Sequence, residues 1–342
     1  MSAAVTSHTI AIPQVIQIIQ GVRQRGMDVD AILQRAGIAP ALLDSPLSRV
    51  TQAQYAALMK VLRRVCRDEL WGLCSRPVKV GSFAQVCQAL VHCHTLGDAL
   101  RTAFRFYHLM LQDFVPRLQV RGNTARVVMV TLRERDPLLA YAERSFCFLG
   151  YGVMSWLVSR RIPLSCVFYP PGTDMPYGTE AERLFQAPVS HAQPRMGFEF
   201  DASWLSLPIV QNPQSLQEFM AQVPKVLVVK YRHQASLSER IRRMLRRYLA
   251  SEMPSLEQVS ETLAMTPQTL RRRLRDEGQG YQAIKDNLRR DAAIEYLSQP
   301  ELTLADIAGR LGFSEASTFH RAFKGWTGLS PGAYRQTQLH PL

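Results

Sequence analysis

The sequence predicts two domains of different class: an α+β N-terminal domain, with mixed helices and a small, mostly antiparallel sheet, followed by an all-α C-terminal domain with two helix-turn-helix motifs. Three observations predict this. The chain has 342 residues, more than one small core fills. Its first part mixes helical periodicity with short β-rich runs. Its last part holds an internal repeat of short amphipathic helices.

Taken in order, Pro13 to Gln24 is apolar at helical spacing, and Thr51 and Ser82 are placed to cap helices over Ala56–Val65 and Phe83–Val91. Phe114–Val120 and the Val-rich Ala125–Leu132 flank the turn Arg121-Gly122-Asn123, which predicts a hairpin. Leu138 to Val158 reads as a long buried helix, Ser165–Tyr169 as a strand, Thr179–Phe185 as a short helix and Val189–Phe200 as one or two strands. Pro224 breaks the helix before it, and Val223–Gln234 has no clear period. The expected division is therefore a first domain over 1–222, a linker over 223–235 and a second domain over 236–342.

Hydrophobic content of 46% and charged content of 20% are those of an ordinary globular protein. The net charge of +13 is not, and favours polyanionic partners: nucleic acid or an anionic membrane surface. No uninterrupted apolar stretch is long enough to span a membrane. The start MSAAVTSHTIAIPQ has no basic-then-apolar signal pattern, so a cytoplasmic protein is expected. The cysteines Cys66, Cys74, Cys87, Cys93, Cys147 and Cys166 are then expected to be reduced, and all lie in the first half. The basic surplus is dense at the start of the second domain, where Lys225, Lys230, Arg232, Arg240, Arg242, Arg243, Arg246 and Arg247 face Glu239 alone. These residues are read as phosphate contacts, against the alternative of a solvated helix face.

The repeat carries the function. Leu256, Val259, Leu263 and Met265 coincide with Leu304, Ile307, Leu311 and Phe313 at a constant offset of 48. Ser255 stands three residues before Gln258, and Thr303 three before Asp306; both are capping-box patterns. Gly312 supplies a positive-φ turn where copy one has Ala264, and Thr266 and Ser314 are hydroxyls placed to cap the second helices. The units span about 256–277 and 304–326.

In the second helix of copy one, Leu270 and Leu274 face a core, while Gln268, Arg271, Arg272 and Arg275 fall on another face at i, i+3, i+4 and i+7. In copy two, Phe319 and Phe323 are the core pair, and Ser317, His320, Arg321 and Lys324 form the matching polar face. These positions map with an offset of 49. One such unit is weak evidence, but two with matched cores and donor faces point strongly to double-stranded DNA, since a helix fits the major groove and Arg and Gln match guanine and adenine edges there. Tyr281 to Leu297, with Ile284, Leu288, Ala292 and Leu297 along one seam, reads as a rigid connector. Reading helices entering successive grooves on one DNA face lie about 34 Å apart.

The stretch Leu288–Gln336, above all Gly328-Leu329-Ser330-Pro331 followed by Tyr334-Arg335, resembles the DNA-binding domain of the AraC/XylS family of bacterial transcription regulators. The resemblance implies base contacts from Gln268, Arg271 and Arg272 and from Ser317, His320 and Arg321. Ala316 stands where many members carry a longer polar residue, which points copy two toward phosphate contact. Ala181–Val189, Phe198-Glu-Phe and Leu205–Pro208 are similar to the arabinose-binding-domain-like effector domain of the ornithine-utilisation regulator type. That likeness implies a mixed helix-and-sheet sensor in place of a cupin barrel, control of amino-acid, lipid-related or virulence genes, a homodimer, RNA polymerase as a partner, and an activator.

In the sensor half, Cys87, His92, Cys93 and His94 carry metal-ligand chemistry. Adjacent residues on a helix diverge, however, so no metal and no cofactor is expected. A switch between two thiols is the redox alternative. Phe104, Phe106, Tyr107 and Phe114 either line a ligand pocket or pack a core, and Arg101 and Arg105 either clamp a carboxylate or face solvent. The functional expectation is a sequence-specific, ligand-controlled DNA-binding regulator. It competes with a ligand-independent or thiol- or metal-responsive regulator whose first domain only assembles, and with an enzyme bearing a DNA domain. GxxxxGK[ST], GxGxxG and HExxH are absent from the sequence.

Overall fold

The periodic segments become regular elements in a computed structural model that describes residues 9–170, 185, 187–191, 193–224, 237–277 and 279–339. A short strand β1 (Thr9–Ala11) leads into α1 (Ile12–Ile18), α2 (Gln20–Gln24) and α3 (Val29–Arg35), then β2 (Arg49–Thr51) and α4 (Gln52–Cys66). The Thr51 hydroxyl accepts from the Gln54 N–H at 3.1 Å, the cap expected of it. Next come α5 (Ser82–Leu90) and α6 (Leu96–Met110). Gly81 at φ +103°, not Ser82, is the N-cap of α5; Ser82 is already helical, because glycine alone adopts that turn without strain. Thr95 caps α6 by accepting from Asp98.

The hairpin β3 (Phe114–Arg121) and β4 (Thr124–Thr131) follows, then α7 (Pro137–Leu157), β5 (Leu164–Phe168), β6 (Val189–Ser190) and β7 (Gly197–Asp201). Asp136 caps α7, and Pro137 starts it where a missing N–H costs nothing. After these lie α8 (Pro213–Gln222), α9 (Leu237–Leu245), α10 (Leu256–Thr262), α11 (Pro267–Asp276), α12 (Tyr281–Leu297), α13 (Leu304–Arg310), α14 (Ala316–Thr327) and α15 (Pro331–Leu339). The helix expected over Thr179–Phe185 and nearly all of the linker expected over 223–235 lie outside the described residues.

By their contacts the residues divide into two units: 17–29 with 59–232, and 1–16 with 30–58 and 233–342. A discontinuous division of this kind has no counterpart in a linear boundary at 222.

In the first of these units the strands form a five-stranded sheet in the order β3-β4-β7-β5-β6, antiparallel except for the β5–β6 pair. The hairpin register runs from Phe114 opposite Thr131 to Arg121 opposite Thr124. Any side chain at Gly197 would collide with the Val127 carbonyl, so β7 crosses β4 only with glycine there. Val127, Met129, Phe198 and Phe200 are buried, and Tyr151 of α7 meets Phe198 edge-on at 5.8 Å. The α+β class with a small, mostly antiparallel sheet is what the alternating pattern predicted.

The second unit pairs β1 with β2 and gathers the C-terminal helices. The Thr9 hydroxyl donates to the nearly buried Asp291 of α12 at 2.6 Å, and Arg242 and Arg290 stand 3.5 and 3.0 Å from the same carboxylate. The Ser45 and Ser48 hydroxyls donate to the Thr327 carbonyl at the end of α14, and the Tyr334 hydroxyl donates to the Arg49 carbonyl. Satisfying a buried carboxylate and these helix-end carbonyls explains why N-terminal residues group with the C-terminal helices.

Candidate nucleic-acid interface and apolar cavity

Each half of the repeat folds as a helix, a tight turn and a second helix. Both first helices, α10 and α13, begin with complete capping boxes: Ser255 with Gln258, and Thr303 with Asp306. Both turns pass through a left-handed residue, Ala264 at φ +53° and Gly312 at φ +73°. Thr266 caps α11 by accepting from Thr269, as expected. Ser314 does not cap α14. Its N-cap is Glu315, whose side chain makes no cap bond. The turn residues are 48 apart and the N-caps, Thr266 and Glu315, are 49 apart. One extra residue between turn and helix in copy two therefore moves the cap and produces the change of offset read from the sequence.

The buried pairs set the rotation of the second helices. Leu270 and Phe319 are completely buried, and Leu274 and Phe323 join them. A helix that buries this pair turns its other face outward. Gln268, Arg271, Arg272 and Arg275 on α11, and Ser317, His320, Arg321 and Lys324 on α14, are all exposed. Arg271 pairs loosely with Glu257 at 3.4 Å, both side chains more than half exposed, a contact of little energy that a phosphate or base edge can replace. Ala316 is exposed at the start of α14.

The connector α12 spans Tyr281–Leu297, with Ile284, Leu288, Ala292 and Leu297 buried as its seam predicted. Arg289 donates to the Leu311 carbonyl at 3.1 Å and stacks on Phe313, and Tyr281 donates to the Pro254 carbonyl at 2.7 Å. The connector thus grips both units. Glu277, at the end of α11, accepts from the Leu237 and Ser238 N–H groups and closes the N-terminus of α9. On α9 and its extension, Arg240, Arg243 and Arg247 are exposed. Arg242 is not the solvated phosphate contact expected: it is buried against Asp291, with Glu239 beyond it, and serves the core. Lys225, Lys230 and Arg232 lie outside the described residues.

The α+β unit contains a cavity of about 150 Å³. Its walls come from α4 (Met59), α5 (Val86, Leu90), α6 (Leu100, Ala103, Phe104), β4 (Val127, Met129), α7 (Val153, Met154) and Phe198 of β7. Lys60 and Arg63 are exposed at its rim. Deeper polar groups are Glu69, Tyr107 and Cys87. Glu69 accepts from the Gly81 and Phe83 N–H groups at 2.8 and 2.7 Å, yet burial pushes its carboxyl above the usual range.

Of the expected aromatic cluster, Phe104 and Tyr107 line the cavity. Phe114 is instead core, packed edge-on to Phe146 at 5.5 Å, and Phe106 is not among the lining residues. Arg101 pairs with Asp98 at 2.9 Å and both are well exposed; Arg105 also faces solvent. His92 and His94 are exposed, while Cys87 is buried on the cavity wall. Burial pushes the Cys87 thiol up to about 12 and raises those of Cys74 and Cys147 well above the usual thiol range, which keeps them protonated and unreactive. Sequence reading missed Glu69, Lys60, Arg63 and the α7 wall. They converge from elements far apart in the chain and share no local spacing.

Among the described residues, no helix is long and apolar enough to cross a membrane. Compared with known proteins, residues 26–209 match the family described as the arabinose-binding domain of AraC transcription regulator, N-terminal, and residues 259–337 match a helix-turn-helix domain. The ornithine utilization regulator of Pseudomonas aeruginosa is 26% identical over 339 residues, covering 97% of both chains. The HTH-type transcriptional regulator VqsM of the same organism is 30% identical over 270 residues, covering 75% of this chain and 81% of that one. The HTH-type transcriptional regulator VirS of Mycobacterium tuberculosis is 42% identical over 101 residues, 30% of each chain. These relatives are regulators and not enzymes.

Proposed function

This chain belongs to the AraC family of DNA-binding transcription regulators, and from that premise we propose that it is a sequence-specific activator whose N-terminal domain binds a small-molecule effector. In this reading α11 enters the major groove with Gln268, Arg271 and Arg272 on base edges and Arg275 at its flank. Helix α14 enters the next groove with Ser317, His320, Arg321 and Lys324. Ala316 shortens its reach, so it holds phosphates more than it reads bases. The domain over 1–222 senses and dimerises, and that over 236–342 reads DNA. The protein acts in the cytoplasm as a homodimer that engages RNA polymerase at the promoter. The effector site is the cavity between α4, α5, α6, α7 and the sheet, the apolar concave feature ligands favour.

One observation carries the reading: α11 and α14 bury matched pairs, Leu270 with Leu274 and Phe319 with Phe323, and turn matched donors outward. The test is selection of bound sequences from random duplexes. Two conserved blocks about 10 base pairs apart are expected, with the stronger preference in one block. Retention of all sequences alike would refute sequence-specific reading.

A further inference from the structure

The effector reading leaves the chemistry of the ligand open, and the lining of the cavity narrows it. A volume of about 150 Å³ matches a benzene-sized body of about six carbons. Most of the wall is aliphatic or aromatic: Val86, Leu90, Leu100, Met129 and Met154 are nearly or fully buried there. Such a wall rewards an apolar body and penalises a charge placed among its side chains. A charged group on the ligand therefore belongs at the rim.

The rim is cationic. Lys60 and Arg63 both line the cavity, both are exposed, and they stand three residues apart on α4, so their side chains lie on one face of that helix. Among the described residues, no hydrogen bond or ion pair holds either side chain. The acidic lining residue is Glu69, and its two carboxylate oxygens are already engaged: one accepts from the Gly81 N–H and the other from the Phe83 N–H, at the start of α5. Arg63 acts on Glu69 only through space. Two cations against one acid that is tied to the backbone leave a positive surplus at the mouth of an apolar chamber.

We infer that the cavity takes an amphipathic monoanion: a compact apolar body inside the wall and a single carboxylate at the rim, held by Lys60 and Arg63. The inference rests on the effector reading above. Arg63 offers the planar, paired donors that match a carboxylate, and Lys60 adds a mobile point charge beside it. Both cations stay in contact with water, so the head group is recognised without being buried, and the apolar body supplies most of the affinity.

Three probes with one flexible chain and different heads test this on the full-length protein at pH 7: octanoate, 1-octanol and octylamine, with affinity read from the rise in melting temperature with probe concentration. Octanoate is expected to bind most tightly and octylamine most weakly. Lys60→Gln and Arg63→Gln are each expected to weaken octanoate about twofold to fivefold, the worth of an exposed ion pair, and to leave 1-octanol within about twofold. The 1-octanol result doubles as proof that each variant folds with its cavity intact. Added salt should weaken octanoate and spare 1-octanol. Equal binding of octanoate and 1-octanol, tightest binding of octylamine, or octanoate binding unchanged in both variants would overturn the anionic class while leaving an effector cavity standing. No shift with any of the three would remove the cavity as the effector site altogether.

Discussion

Ala264 and Gly312 hold the same left-handed turn position in the two helix-turn-helix units, at φ +53° and +73°. The two positions tolerate side chains differently. A Cβ at Gly312 would stand 2.7 Å from the Ser251 carbonyl oxygen and 3.0 Å from that of Leu249. Ala264 carries its Cβ in an exposed turn at the cost of strained backbone. Ala264→Gly is therefore expected to stabilise the chain by about 0.5–1 kcal/mol, and Gly312→Ala to destabilise it by about 2 kcal/mol or more. Urea midpoints of the two variants check this; a loss from Ala264→Gly would contradict it.

The capping boxes predict an acid-sensitive step. The Thr303 hydroxyl and N–H hold the Asp306 carboxyl below its ordinary value. A carboxylate with a lowered folded pKa contributes stability above its unfolded value and loses it as pH falls through the folded one. Helicity of the second unit is expected to fall below about pH 4. Asp306→Asn should flatten that part of the profile, as followed by circular dichroism against pH.

Glu143 makes the opposite case. Its side chain is 1% exposed, 2.9 Å from Arg135, and accepts from the Thr131 hydroxyl at 2.6 Å. Burial raises its carboxyl above the usual range. A carboxyl raised in the folded state favours folding at low pH and weakens it as pH rises through the folded pKa. Arg135→Ala leaves that charge unpaired, so a loss of about 3–5 kcal/mol at pH 7 is expected, shrinking at acidic pH. Thermal unfolding at pH 7 and pH 5 measures it; a loss that does not shrink at the lower pH would show that the pair does not set this balance.

The paired cores predict that the reading face depends on packing behind it. Phe319→Ala removes a completely buried ring and should cost about 3–5 kcal/mol, while Ser317→Ala on the exposed face should lie within about 0.5 kcal/mol. Equal effects on unfolding would mean that α14 is turned otherwise than described.

The C-terminal half was largely legible because its signals are local. Capping residues, a positive-φ turn and an apolar pair four residues apart all lie within one unit, and the connector Tyr281–Leu297 has the bounds its seam implied. Ser314 misled because a hydroxyl beside a turn resembles a cap, and only backbone geometry places the cap at Glu315. In the first half, the hairpin and α7 were legible from Val-rich alternation and a long apolar run. The cavity was not, since Met59, Val86, Tyr107, Met129 and Met154 meet only through tertiary packing. Nor was the hold of Thr9, Ser45 and Ser48 on the C-terminal helices: hydroxyls carry no sign of a partner some 280 residues away.

The central claim is that α11 reads bases with the arginines it exposes. The most direct measurement compares Arg271→Ala, Arg272→Ala and Lys324→Ala on the selected duplex and on single-base variants of it, across a salt series. Each arginine change is expected to lose discrimination of about 1–3 kcal/mol at one base position. Lys324→Ala should weaken all duplexes alike and lower the salt slope by about one. If all three variants weaken every duplex equally, α11 holds the backbone only and the account is wrong.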